Sequence, residues 1–167
     1  MYIVVGLGNP GEKYAKTRHN TGRMAADFVA DKVEGIKFVV PDTYMNKSGS
    51  FVAKYIKSKK AVQKLIVIYD DLDLPLGALK ISYNRSSGGH RGLESVIKAL
   101  KTEEFIRIRI GISAKKKPQG EKAVEKHILS EFKKPELEIL KKVFKKVKET
   151  VETIVGDGKE VAMNRFN

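Results

Sequence analysis

Two periodicities alternate along the chain. Short apolar runs bounded by turn formers read as buried strands: Tyr2 to Val5, Ile36 to Val40 ended by Pro41, and Leu65 to Tyr69 (LIVIY). Ala78 to Tyr83 reads as a further strand. Ile106, Ile108, Ile110 and Ile112 recur at every second position with Arg107 and Arg109 between them, which predicts a half-exposed strand. Between these runs, apolar residues return at helical spacing. Met24, Ala25, Phe28, Val29 and Val33 predict a helix that Gly35 is placed to end. Phe51, Val52, Tyr55 and Ile56 predict a short helix entered through Ser48-Gly49-Ser50, and Leu93, Val96, Ile97 and Leu100 another. Two helices are expected to finish the chain, one carrying Val124, Ile128 and Phe132, the other starting at Pro135 and carrying Leu137, Leu140, Phe144, Val147, Val151 and Ile154. Asp70 to Gly77 and NRSSGGH read as loops.

Strands alternating with helices predict an α/β fold in three layers, with a mostly parallel central sheet. The chain shows no internal repeat, low-complexity segment or linker, so one domain is expected over residues 1–167. In such sheets ligands lie beyond the carboxyl ends of strands. GLGNPG follows the first strand, residues 41–46 the second and YDDLD the third, so three loops should converge on one edge.

Composition narrows the function classes. No apolar run approaches the roughly 18 residues of a membrane span, and MYIVV opens the chain without a basic, then apolar, export signal, so a cytoplasmic location is expected. There is no cysteine, which removes disulfides, a thiol nucleophile and thiolate-bound zinc. Lys and Arg number 33 against 20 Asp and Glu, a formal charge of +13. The excess is clustered at Lys57, Lys59 and Lys60, at Lys115 to Lys117, and in a third group from Lys133 to Lys148. Such a field attracts polyanions. The competing reading is a solvated Lys/Glu-rich surface.

GLGNPG spells G-x-G-x-x-G with Gly6, Gly8 and Gly11, but a dinucleotide loop needs its third glycine to open a helix. Here EKYAKTRHNTG follows, rich in poor helix formers, and the apolar stripe starts only near Met24. Pro10 also removes a backbone donor. What the loop offers is Asn9, either an Asx-turn residue or a side-chain amide able to donate and accept at a strand end.

Of the three histidines, His127 sits among helical lysines and reads as a surface or boundary residue, His90 follows Gly88-Gly89, and His19 lies in TRHNTG near the same sheet edge. A histidine so placed is structural or, where a carboxylate reaches one ring nitrogen, a base at the other. Asp70, at the end of LIVIY, is the candidate carboxylate. The chain contains neither G-x-S-x-G nor G-x-x-x-x-G-K-[ST]. A His–Asp pair without a side-chain nucleophile suits activation of water. The rival is a cation held by Asp70, Asp71 and Asp73, although Asp71 should face the opposite way if strand geometry continues, where it reads as a solvated turn residue.

GLGNPGEKYAKTRHNTG, PDTYMNKSG, YDDLDLPLGALKI, GGHRGLESV and RIRIGI, in this order, resemble bacterial peptidyl-tRNA hydrolase. The resemblance covers most of the first 112 residues, and the tail matches more loosely. It implies a usually monomeric α/β domain with a mixed sheet that hydrolyses the ester joining a peptide to tRNA, with no metal or cofactor. It further implies His19 as the base that activates water, Asp70 as its stabiliser, Asn9 and Asn46 as holders of the substrate, and Tyr14 and Tyr44 as tRNA contacts. Two departures stand out. The family usually has asparagine after the histidine of GGH, where this chain has Arg91, beside His90. A guanidinium has no acceptor and suits phosphate instead. The family also usually carries an extra strand-and-turn segment before PDTYMN, where this chain has only residues around Gly35 to Phe38. A non-enzymatic RNA- or ribosome-binding protein is the alternative, needing the basic clusters but neither His19 nor Asp70. A nicotinamide oxidoreductase is the more distant one.

Overall fold

The computed structural model describes all 167 residues. The strands are β1 (Tyr2–Gly6), β2 (Ile36–Val39), β3 (Leu65–Pro75), β4 (Leu79–Tyr83) and β5 (Ile106–Ser113). The helices are α1 (Thr21–Val29), α2 (Ser48–Val52), α3 (Lys59–Val62), α4 (Arg91–Leu100), α5 (Glu121–Ile128), α6 (Lys134–Asp157) and α7 (Lys159–Phe166), with single 3₁₀ turns at Glu12–Tyr14, Arg18–Asn20 and Met45–Lys47. The sheet order is β2-β1-β3-β5-β4. All neighbours are parallel except β4 and β5, which makes the sheet mixed and mostly parallel, as the pattern predicts.

The alternation of side chains along β3 divides the interior in two. Ile66 and Ile68 join Val4, the isoleucines of β5 and residues of α1, α6 and α7 on one face. Leu65, Val67 and Tyr69 join Val5, Leu7, Phe51, Leu93 and Val96, from β1, α2 and α4, on the other. Both faces are therefore covered, and the sheet is the middle of three layers.

Several expectations are corrected. β5 is not half exposed: all eight of its residues are buried, Arg107 and Arg109 included. On the arginine face, Arg107 bonds the Ser86 and Glu103 carbonyls, and Arg109 is neutralised by Asp71 of β3 at 2.7 Å. Asp70 to Gly77 is not a free loop. Asp70 and Asp71 continue the β3 pairing opposite Ile110 and Gly111, and after an irregularity Pro75 pairs with Ser113. The second predicted helix shrinks to α2, α3 is a separate short turn capped by the Ser58 hydroxyl, and Phe132 packs in the core beyond the end of α5. Three helices, not two, finish the chain, because Gly158 at φ 97° breaks the run and α7 folds back against β4. There the Asn167 side chain bonds both backbone groups of Ile81.

Helix α1 opens at Thr21, earlier than its apolar stripe. Its first turn packs through backbone rather than side chains: Arg23 N–H donates to the Leu7 carbonyl at 3.1 Å, and Gly22 lies against β3. A Cβ on Gly22 would sit 2.1 Å from the Ile68 carbonyl oxygen. That approach sets the distance between β3 and the segment just before α1. Gly22→Ala is therefore expected to destabilise the fold by about 1–3 kcal/mol through overpacking, read as a lower midpoint of chemical denaturation with an unchanged slope.

Candidate active site

Beyond the carboxyl end of β1 and beside the middle of β3 lies a cleft of about 570 Å³. Asn9, Tyr14, His19, Tyr44, Asn46, Asp70, His90 and Arg91 all line it. The three predicted segments do converge, the third as part of β3 rather than as a loop, and every site residue chosen from the sequence lines the same space.

At its centre is Asp70, buried at 3% exposure. His19 Nδ1 lies 2.8 Å from Oδ2, and His90 Nε2 lies 2.8 Å from Oδ1. The tautomers follow from the partners. His90 Nδ1 accepts the Leu93 N–H at the start of α4, at 3.1 Å, so its proton sits on Nε2 and is donated to Asp70. His19 donates from Nδ1, which leaves Nε2 with a lone pair and no hydrogen-bond partner in the protein. His90 is thus a full member of the array, a stronger position than the sequence gives it.

Burial alone would favour the neutral form of Asp70, but the charges and hydrogen bonds of His19 and His90 hold its pKa far below the ordinary carboxylate value. Burial likewise works against protonation of His19. The Asp70 charge and hydrogen bond outweigh it, with Arg91 opposing them, and the ring is held above 6.5.

The His19 segment is fixed from behind by a residue the sequence reading passed over. Arg18 is buried and forms a fork to Glu136 at 2.9 and 3.0 Å, while its Nε donates to Ser130 Oγ and its plane lies 4.8 Å from the Phe132 ring centre. Glu136 also accepts the Lys133 N–H, so the start of α6 and the His19 turn share one carboxylate. No local pattern marks this pair, whose members are 118 positions apart.

Asn9 is not an Asx-turn residue. Its Oδ1 accepts the Met45 N–H at 2.8 Å, which turns the Nδ2 donor toward the cleft. Its backbone is clamped by Asn20, which accepts the Asn9 N–H and donates to the Asn9 carbonyl, both at 2.9 Å. Asn46 is exposed on the 3₁₀ turn beside it. Tyr14 and Tyr44 meet edge to face with ring centres 6.4 Å apart, and Tyr44 remains 58% exposed. Arg91 is exposed at the rim and pairs with Glu121 at 3.4 Å.

The acidic trio considered for a cation is dispersed. Asp71 faces Arg109, contrary to the solvated-turn reading, and Asp73 pairs with Lys117. The atoms that do cluster, on His19, Asp70 and His90, lie within 4.8 Å of one another. They could hold a metal ion only by giving up both hydrogen bonds to the carboxylate.

The family model of peptidyl-tRNA hydrolase matches residues 3–167. The chain belongs to the peptidyl-tRNA hydrolase family. It is 40% identical to the peptidyl-tRNA hydrolase of Thermodesulfovibrio yellowstonii over 189 aligned residues, covering 100% of this chain and 99% of the relative. It is 43% identical to that of Fervidobacterium nodosum over 180, covering 99% and 95%. The crystal structure of peptidyl-tRNA hydrolase from Acinetobacter baumannii superposes with a TM-score of 0.90 at 28% identity, covering 100% of this chain and 94% of that one. A peptidyl-tRNA hydrolase crystallised with N-propanol gives a TM-score of 0.90 at 29% identity, with the same coverage. The family's fold therefore extends over the loosely matching tail.

The pKa raised on His19 has a sign that can be read. The imidazolium–Asp70 pair adds stability that is present below pH 6.5 and is lost as pH rises through the elevated folded value. In an NMR titration, the His19 ring is expected to protonate with a midpoint above 6.5. In Asp70→Asn that midpoint should fall below 6.5, since burial then acts unopposed.

Proposed function

We propose that this chain carries out its family's ester hydrolysis of peptidyl-tRNA with His19 as general base and Asp70 as its stabiliser. The observation that carries the assignment is the His19 ring, fixed by Asp70 through Nδ1 while Nε2 is free in the cleft. Nε2 takes a proton from water as the water oxygen attacks the ester carbonyl. Asp70 stabilises the imidazolium so formed. When the tetrahedral intermediate collapses, that proton passes to the departing ribose oxygen, leaving free tRNA and a peptide carboxylic acid.

Asn9 Nδ2, aimed by the Met45 N–H on its oxygen, supplies a donor for the substrate carbonyl. Exposed Asn46 bonds the peptide backbone, whose amides are the same in every sequence. Tyr14 and Tyr44 offer ring faces to the acceptor end of the tRNA. The exposed Lys115 and Lys116, beside the cleft residue Lys117, contact phosphates. We take the chain to act as a monomer in the cytoplasm, needing no cofactor or metal. No helix is long and apolar enough to cross a membrane. A purely RNA-binding protein would leave a buried carboxylate between two imidazoles without a use.

The assay is release of an N-blocked amino acid from N-blocked aminoacyl-tRNA. His19→Ala is expected to lower kcat by about 10²–10⁴-fold while tRNA binding persists, and EDTA should leave the wild-type rate unchanged. A wild-type rate in His19→Ala would remove His19 from the mechanism, and inhibition by EDTA reversed by Mg²⁺ would restore the metal reading.

Arg91 takes a phosphate near the tRNA end. Its pairing with Glu121 is long and exposed, with side-chain exposures of 73% and 83%, so a phosphate can displace it. Arg91→Asn is expected to raise KM and lessen its salt dependence with kcat little changed. A higher kcat at unchanged KM would instead mean that arginine stands in the place of a water-positioning amide.

A further inference from the structure

Arg107 is fully buried in the middle of β5, yet no carboxylate meets it. Its guanidinium donates from Nη1 to the Ser86 carbonyl at 2.7 Å and from Nη2 to the Glu103 carbonyl at 3.2 Å. Nε is buried without a partner, and the guanidinium lies 4.6 Å from the Phe105 ring centre. A buried cation held only by neutral carbonyls costs stability, and an apolar side chain would fill the same strand position more cheaply. The bond to Ser86 is what an apolar side chain could not supply.

Ser86 lies in the segment that brings the chain from β4 to His90. Gly88 and Gly89 in that segment have φ of 59° and 85°, and a Cβ on either would meet nothing within 4 Å. The other hydrogen bonds there are local: His90 N–H to the Ser87 carbonyl and Gly89 N–H to Ser87 Oγ. Ahead of the bond that His90 itself makes to Asp70, the Arg107–Ser86 bond ties this permissive segment to the sheet. At the loop end, Tyr69 of β3 packs edge-on against His90, with ring centres 5.1 Å apart. Arg107 therefore holds Ser86, four residues ahead of His90 on the same loop, and His90 in turn meets Asp70 through Nε2.

We propose that Arg107 is a positioning residue for the hydrolysis: by holding the Ser86 carbonyl it fixes the loop that delivers His90 to Asp70, and so the geometry of the His19–Asp70 pair. This rests on the assignment of His19 and Asp70 made above. Arg107 itself touches no substrate and acts at one remove from the base.

The test uses two changes that reach the same link from opposite sides. Arg107→Lys keeps the cation but loses the fork. Insertion of one glycine between Ser86 and Ser87 leaves every buried side chain in place and slackens the loop instead. In the N-blocked aminoacyl-tRNA assay, each should lower kcat roughly tenfold to a hundredfold, the range that small misplacements produce, with KM unchanged. In a His90→Ala background neither should lower kcat much further. An unmoved kcat in the insertion variant overturns the proposal, as do losses that add fully to that of His90→Ala. The insertion decides the matter if Arg107→Lys does not fold. A wild-type rate in His19→Ala would instead overturn the underlying assignment, so the two failures are distinguishable.

Discussion

The site depends on one buried carboxylate accepting from two imidazoles. Asp70 sits at 3% exposure, where an unpartnered anion would protonate. Two N–H donors at 2.8 Å keep it ionised. They also determine what each ring does. His90 is committed on both sides, to Asp70 and to the Leu93 N–H, and has no lone pair left for chemistry. His19 is committed on one side only. The Leu93 N–H thus distinguishes two rings that share one carboxylate, one as support and one as the group with a free nitrogen.

Holding that arrangement takes the fold on both faces of the sheet. β3 carries Asp70 to the cleft from the centre of the sheet. On one face, the close approach of Gly22 to β3 and the Arg18–Glu136 fork place the His19 turn against the strand end. On the other, the His90 ring caps α4 at the end of the Gly88-Gly89 segment. Each histidine therefore belongs to a different layer, and only the middle layer's carboxylate joins them.

Strand and helix identities were legible because burial follows period. LIVIY and the alternating isoleucines of β5 read correctly as strands, and His19, Asp70 and Asn9 could be placed at one edge from strand ends alone. The errors share a cause. Arg107 and Arg109 read as solvent-facing because pattern treats arginine as polar, whereas Asp71 and the carbonyls of Ser86 and Glu103 make their burial tolerable. The first turn of α1 was missed because it packs by backbone. α7 was missed because its anchoring is by Asn167 to β4, a contact 86 positions long. The Asn9–Asn20 clamp and the Arg18–Glu136 fork are likewise pairings between distant segments, which no local spacing encodes.

The charge of the chain and the chemistry of the site meet at Arg91. A formal charge of +13 draws in a polyanion, but a base must be unprotonated when the substrate arrives. Asp70 holds the His19 pKa up, and Arg91 opposes that rise. Under the proposed assignment, a cation at the rim serves binding and the base together, since attraction for phosphate and repulsion of an extra proton have the same sign. Because Arg91 is exposed, both effects weaken as salt screens them. The His19–Asp70 hydrogen bond is buried and short, and salt leaves it largely untouched. On that assignment, capture of the substrate falls to the part of the protein that responds to ionic conditions, and proton transfer to the part that does not.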